Sequence, residues 1–193
     1  MKSICVYCGS SMGNNPAMKE VAAELGQELA ERQVSLVYGG ASIGLMGVLA
    51  DACLAKGGRV IGVIPGFLDT VEITHKGVTE IIRTESMHQR KTEMAERAEG
   101  FIAMPGGFGT LEELAEILTW GQLGLVQKPI GILNVNGYYD PLMIFMDHML
   151  KNELIREDHL SLFVIRDNVK ELLEDMESFE VSKTDHRQKL GLT

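Results

Sequence analysis

Met104-Pro105-Gly106-Gly107-Phe108-Gly109-Thr110-Leu111-Glu112-Glu113 sets three glycines, a threonine and two adjacent carboxylates between two patterned segments. Before it lies the short apolar run Phe101-Ile102-Ala103-Met104; after it, Leu111, Leu114, Ala115 and Leu118 recur at helical spacing. A strand that turns through glycines into a helix leaves backbone N–H groups free at the positive end of the helix dipole, and such turns bind anions. Glu113 adds a carboxylate beside that pocket. The pairing points to chemistry on a phosphorylated substrate, with the phosphate held by backbone and a carboxylate near the reacting carbon. Phe108, Leu111 and Glu112, in the same segment, are candidate substrate contacts. Thr110 and Glu113 also fit a capping box, which would serve only the helix's own amides. Three glycines so close together carry an entropic penalty that a plain strand-to-helix turn does not require. No Gly-Lys-Ser/Thr follows, so this is not a Walker A loop. The third glycine of the dinucleotide fingerprint would fall at Glu112. ATP hydrolysis and NAD-linked hydride transfer therefore lose support.

A second group of chemical residues lies at 86–91, Ser-Met-His-Gln-Arg-Lys. Ser86 and Gln89 fit a capping box. Met87, Arg90, Lys91 and Met94 share one helical stripe, which Ala95 and Ala98 extend, so this is the expected buried face. Cations near a helix start oppose the dipole, and a sequence that breaks a local rule often does so for function. The planar fork of Arg90 suits phosphate or carboxylate. Lys91 fits either a ligand role or a side chain reaching along the helix edge to water. His88 lies off the stripe and is expected to be exposed or structural. His75 sits with Glu72 in an irregular segment and is a candidate pocket residue. No group has metal-ligand spacing, and no Gly-x-Ser-x-Gly elbow appears.

These residues need a scaffold, and the chain alternates strand and helix patterns throughout. Strands are expected at 3–8, 34–38, 59–64, 78–83, 101–104, 130–134 and 162–165. Helices are expected at 16–32, 44–56, 86–98, from the glycine segment to about 123, at 138–151 and at 168–177. The strands are short, apolar and β-branched, as in a parallel sheet covered on both faces. The expected fold is α/β: a single-domain, doubly wound, Rossmann-like parallel sheet with helices on both faces, over 1–180, followed by a polar tail at 181–193. Ligands of such sheets bind at the carboxyl ends of the strands. Three glycine-bearing turns fall there: Gly9-Ser10, Gly39-Gly40 and Gly106 to Gly109. Ser10 and Gly40 join the candidate contacts on that ground.

With 193 residues, 45% of them hydrophobic, the chain can bury a full core. A net charge of −9 argues against nucleic acid or an acidic membrane as a partner. No apolar run is long enough to span a bilayer, and the opening Met-Lys-Ser-Ile-Cys-Val-Tyr-Cys-Gly lacks a signal-peptide pattern. A cytoplasmic protein is expected. Cys5 and Cys8 form C-x-x-C within a strand pattern, where an offset of three puts them on opposite faces. With Cys53 they read as buried thiols.

The segments at 105–113 (PGGFGTLEE) and 87–91 (MHQRK) together resemble the Lonely Guy family. These enzymes are cytokinin riboside 5′-monophosphate phosphoribohydrolases, formerly labelled lysine decarboxylases. The resemblance continues at 38–47 (YGGASIGLMG) and 134–141 (NVNGYYDP) and covers nearly the whole chain. Ala41 departs from it, since many members carry a third glycine there, and alanine disfavours positive φ. The resemblance implies hydrolysis of the N-glycosidic bond of AMP or an N6-modified AMP, releasing the base and ribose 5-phosphate. It implies Arg90 and Glu113 as the catalytic pair and Gly106, Gly107, Gly109 and Thr110 as the phosphate holders. Arg90, Lys91 and Glu72 would help bind the nucleotide; Met87, at the head of the stripe that carries Arg90 and Lys91, is a further candidate substrate contact. It also implies a homodimer with pockets near the subunit contact, and no metal or organic cofactor. No lysine here has a context that announces a pyridoxal phosphate Schiff base. The alternative is a non-catalytic nucleotide or molybdenum-cofactor carrier, with a similar glycine loop and sheet, that binds without turnover.

Overall fold

The computed structural model describes residues 1–69 and 73–179. Seven strands form one sheet in the order β4-β3-β2-β1-β5-β6-β7, every pair parallel. They are β1 (Ser3–Tyr7), β2 (Ser35–Tyr38), β3 (Val60–Pro65), β4 (Glu80–Thr84), β5 (Gly100–Ala103), β6 (Ile130–Leu133) and β7 (Phe163–Arg166). Between them run α1 (Pro16–Glu31), α2 (Gly44–Ala55), α3 (Met87–Arg97), α4 (Phe108–Gln122), α5 (Asp140–Lys151) and α6 (Glu157–Leu160), and α7 (Val169–Glu177) follows the last strand. The doubly wound α/β sheet expected from the alternation is the observed fold. The expected element boundaries agree to within two residues at most ends. The four-residue α6 was not foreseen, since one helical turn is too short to show a period. The proposed tail at 181–193 lies outside the described residues.

Period-two alternation along the strands builds two cores. On one face Ile4, Val6, Leu36, Ile102 and Met104 pack against Leu25 and Leu29 of α1, Leu45 and Leu49 of α2, and Leu172 and Met176 of α7. On the other, Cys5, Tyr7, Val37, Val63, Phe101 and Ile132 pack against Met94 and Ala95 of α3 and Leu114 and Ile117 of α4. Cys5 and Cys8 fall in opposite cores, as their spacing requires, and both are buried free thiols whose pKa burial drives up.

The strand order reverses between β1 and β5. Chain leaving β1 turns to one face and chain leaving β5 to the other, so a crevice opens at their carboxyl ends. Two hydrogen bonds tie the rims together: Gly9 N–H donates to the Pro105 carbonyl (3.1 Å) and Met104 N–H to that of Tyr7 (2.9 Å).

Candidate active site

Helices α1, α2, α3 and α4 are among those that begin at this end of the sheet, and the N-termini of the first three are already occupied. Asn15 Oδ1 accepts from Ala17 N–H at the head of α1 (3.0 Å). The Gly9 carbonyl accepts from Leu45 and Met46 N–H at the head of α2 (3.1 and 3.4 Å). Ser86 Oγ accepts from Gln89 N–H at the head of α3 (3.2 Å), while the Gln89 side chain reaches back to Glu85 N–H (2.8 Å). Helix α4 differs. Its cap is Gly107, no side chain caps it, and no acid lies in its first turn. Its first intrahelical bond runs from Leu111 N–H to the Gly107 carbonyl (3.0 Å). The amides of Gly107, Phe108, Gly109 and Thr110 thus have no partner within the helix, and the dipole is uncompensated. Because the helix starts at Phe108, Thr110 lies inside its first turn and the T-x-x-E capping box does not form. Thr110 and Glu113 are buried instead.

The N-terminus of α4 opens into a cavity of about 240 Å³ at the β1/β5 crevice. Ser10, Met87, Arg90, Gly107, Phe108, Gly109, Thr110, Glu112 and Glu113 all line it. The other candidates lie around it. Gly106 sits behind the wall, so close to the Thr110 side chain and Gly9 N that no Cβ would fit. Gly40, at φ +77°, gives its carbonyl to His75 N–H (2.9 Å). Leu111 faces away, into an apolar trough shared with Leu142 and Phe145 of α5. Lys91 lies behind Glu112. Glu72 falls outside the described residues.

Arg90 and Glu113 meet inside the cavity. Arg90 Nη1 donates to Glu113 Oε1 (2.8 Å), and Arg90 Nε donates to the Val63 carbonyl (3.0 Å). Their side chains are each 10% exposed. Burial pushes the Glu113 pKa above the ordinary 4.5; the charge and hydrogen bond of Arg90 oppose that rise without cancelling it. The result is a desolvated carboxylate held in one orientation. The buried stripe on α3 is as its spacing implied, with Arg90, Lys91, Met94 and Ala95 inward and His88 exposed; Met87 at its head reaches the cavity rim.

Lys91 is 6% exposed and donates to Glu112 Oε1 (2.6 Å) and Glu116 Oε1 (3.0 Å). Desolvation pulls its pKa down, but the hydrogen bonds and charges of the two carboxylates outweigh it and the net shift is upward. This lysine ties α3 to α4, and an ammonium held charged does not serve as a Schiff-base amine. His75 does not reach the cavity. Its Nδ1 accepts from Gly77 N–H (3.1 Å) and its Nε2 lies 3.0 Å from Asp51 Oδ1, so this ring pins its own loop to α2. Ala41 is not among the residues at positive φ; it forms an antiparallel bridge with Thr74, so the departure from glycine strains nothing.

Gly39, Met46 and Met94 also line the cavity. Gly39 was legible only as half of a glycine doublet. The methionines carried no signal that separates a lining residue from core filler.

Fold and crevice define the class: a doubly wound α/β protein with an uncapped helix N-terminus beside a buried Arg–Glu pair. The family model described as "Possible lysine decarboxylase" matches residues 46–176. The chain is 49% identical over 179 residues to cytokinin riboside 5′-monophosphate phosphoribohydrolase LOG7 of Arabidopsis thaliana, covering 93% of this chain and 82% of that protein. It is 47% identical over 178 residues to the LOG enzyme of Oryza sativa subsp. japonica, covering 92% and 74%. The chain belongs to this LOG family. In fold it is similar to a molybdenum cofactor binding protein from Rippkaea orientalis, with a TM-score of 0.70, 21% identity, and 92% and 97% of the two chains covered. The Moco carrier protein of Chlamydomonas reinhardtii gives 0.69 at 22% identity, covering 92% and 96%. At that identity the likeness concerns the fold alone.

Proposed function

We propose that this protein hydrolyses the N-glycosidic bond of AMP or of an N6-substituted AMP, releasing the free base and ribose 5-phosphate. The observation that carries this is the placement of a desolvated carboxylate, Glu113, in the same cavity as the uncapped amides of α4. Relatives at 49% identity are cytokinin riboside 5′-monophosphate phosphoribohydrolases, which supports the same reading.

The 5′-phosphate rests on the amides of Gly107, Phe108, Gly109 and Thr110, where the dipole attracts an anion despite the net charge of −9. This places the ribose towards Glu113. As the C1′–N9 bond breaks, its electron pair leaves with the base and C1′ becomes oxocarbenium-like. The Glu113 carboxylate stabilises that charge and takes a proton from the water whose oxygen bonds to C1′; a proton from solvent neutralises the departing base, and Glu113 then returns its own proton to solvent. A carboxylate with a raised pKa is the better base for this step. Arg90 orients Glu113 and supplies positive charge near the departing base; a guanidinium keeps its protons, so Arg90 is not a proton donor. Ser10, Met87, Phe108 and Glu112 line the remaining walls and contact the nucleoside. Lys91 acts through Glu112. No step calls for a metal or an organic cofactor. A carrier needs no buried carboxylate at the anomeric carbon, which favours hydrolysis over the carrier alternative.

We further propose a homodimer. Leu111, Leu142 and Phe145 line a trough on the α4–α5 face, which meets the cavity at Gly107 and Phe108; Phe108 is 93% exposed there. The expected setting is the cytoplasm, where buried thiols stay reduced. Among the described residues no helix is long and apolar enough to cross a membrane.

Incubation with AMP and with N6-isopentenyl-AMP, followed by chromatography for the free base, tests the reaction. Stoichiometric release over many turnovers supports it; tight binding without released base identifies a carrier.

A further inference from the structure

Residues 134–140 form a tight reversal after β6 that returns the chain against the back of the glycine turn. Asn136 (φ 51°) and Gly137 (φ 73°) are left-handed, and that conformation turns the chain sharply. Asn134 locks the reversal: its Oδ1 accepts from Tyr139 N–H (2.7 Å) and its Nδ2 donates to Asp140 Oδ1 (2.7 Å). Two consecutive phenols then reach two carbonyls of one turn. Tyr139 Oη donates to the Met104 carbonyl (2.7 Å, buried) and Tyr138 Oη to the Gly106 carbonyl (2.5 Å). The two rings pack edge to face at 5.1 Å.

The second bond bears on recognition. All peptide bonds described are trans, so the Gly106 carbonyl and the Gly107 N–H point in opposite directions. Gly106 lines the α4–α5 trough beside Tyr138 and not the cavity, whereas Gly107 lines both. A hydroxyl holding the carbonyl on the trough side turns the N–H towards the cavity. Donation to the carbonyl also polarises the peptide and strengthens its N–H as a donor. Glycine on both sides of this peptide widens the orientations open to its plane, and the Tyr138 bond selects one.

We infer that Tyr138 is a positioning residue for phosphate recognition: by fixing the Gly106 carbonyl it aims the Gly107 N–H at the substrate's 5′-phosphate. This rests on the reading that the glycine turn holds that phosphate. Tyr138 does not itself touch the reacting atoms, so its contribution is to phosphate affinity and not to bond cleavage.

The test is Tyr138→Phe, which keeps the half-exposed ring and removes only the hydroxyl. KM and kcat for AMP are measured with inhibition constants for ribose 5-phosphate and for adenine. The expected result is a three- to tenfold rise, about the worth of one hydrogen bond, in both the AMP KM and the ribose 5-phosphate constant. The adenine constant, kcat and the melting temperature should stay within about twofold and a few degrees of wild type. An unchanged ribose 5-phosphate constant overturns the inference, as does equal weakening of adenine and sugar phosphate, which would mark a general loosening of the site. If ribose 5-phosphate fails to compete with AMP in the wild-type protein, the phosphate assignment of the turn is wrong and the role given to Tyr138 falls with it.

Discussion

A Cβ on Gly39 would stand 2.5 Å from Arg90 Nη2, so the guanidinium occupies the space that a side chain just after β2 would fill. Arg90 is thereby held on three sides, by Gly39, by the Val63 carbonyl and by Glu113. The buried cation and the carboxylate it orients depend on a missing side chain 51 residues earlier in the chain.

Gly39→Ala should therefore displace Arg90 without unfolding the protein, because the atoms met first are the ends of two flexible side chains, Arg90 and Met46. We expect kcat/KM to fall about 10- to 100-fold, the scale of an ångström-sized misplacement in a catalytic site. The melting temperature should move by only a few degrees. Steady-state kinetics beside thermal melting check this; full activity would mean that the position of Arg90 does not matter.

Glu113→Gln removes the charge and keeps the shape. If the carboxylate acts mainly in the transition state, turnover should fall by roughly 10²- to 10⁴-fold while AMP affinity stays near wild type. Rapid-quench kinetics with equilibrium binding separate the two. Wild-type turnover would exclude Glu113 as the catalytic carboxylate. Arg90→Ala should instead harm binding, rate and stability together, the last by roughly 3 kcal/mol, since it strips the partner from a buried charge.

The raised pKa of Glu113 has a pH signature. A carboxyl whose folded-state pKa lies above its unfolded value stabilises the fold below that unfolded value, near 4.5, and the contribution is lost as pH rises through the folded pKa. Glu113→Gln has no such loss. The stability difference between variant and wild type should thus shift in the variant's favour as pH rises from about 4.5 through the folded-state pKa. Denaturant melts across pH 4 to 8 measure it; a constant difference would show the pKa unshifted. In the kinetics, the acid limb of kcat/KM should lie above the ordinary carboxylate value.

Phe145→Asp puts a charge on the exposed trough of α4 and α5. If that face joins two copies, sedimentation should show a wild-type dimer and a monomeric variant. A wild-type monomer contradicts the assembly proposed above.

Much of this site was legible in the residues, for identifiable reasons. The sheet followed from short β-branched strands alternating with helices, and the crevice from the glycines at their ends. Arg90 and Lys91 were placed inward by helical spacing alone. Their partners were not, because a salt bridge between α3 and α4 depends on how two helices seat on the sheet. That is why Lys91 left two roles open, and why its ties to Glu112 and Glu116 emerged only in three dimensions. The start of α4 was hidden because Gly107 and Gly109 are poor helix formers, which made Thr110 resemble the cap. Leu111 followed the helical period yet faces α5 instead of the sheet, since a period gives a face and not its neighbour. Tyr138 lay within the 134–141 segment of the family resemblance, but no local pattern pairs it with a carbonyl 32 residues away.

The most direct measurement is a crystal structure of Glu113→Gln with bound AMP. The 5′-phosphate oxygens should lie about 2.7–3.1 Å from the amides of Gly107, Phe108, Gly109 and Thr110, with C1′ facing the side chain at position 113. A phosphate bound away from the head of α4, or a ribose turned from residue 113, would contradict the account.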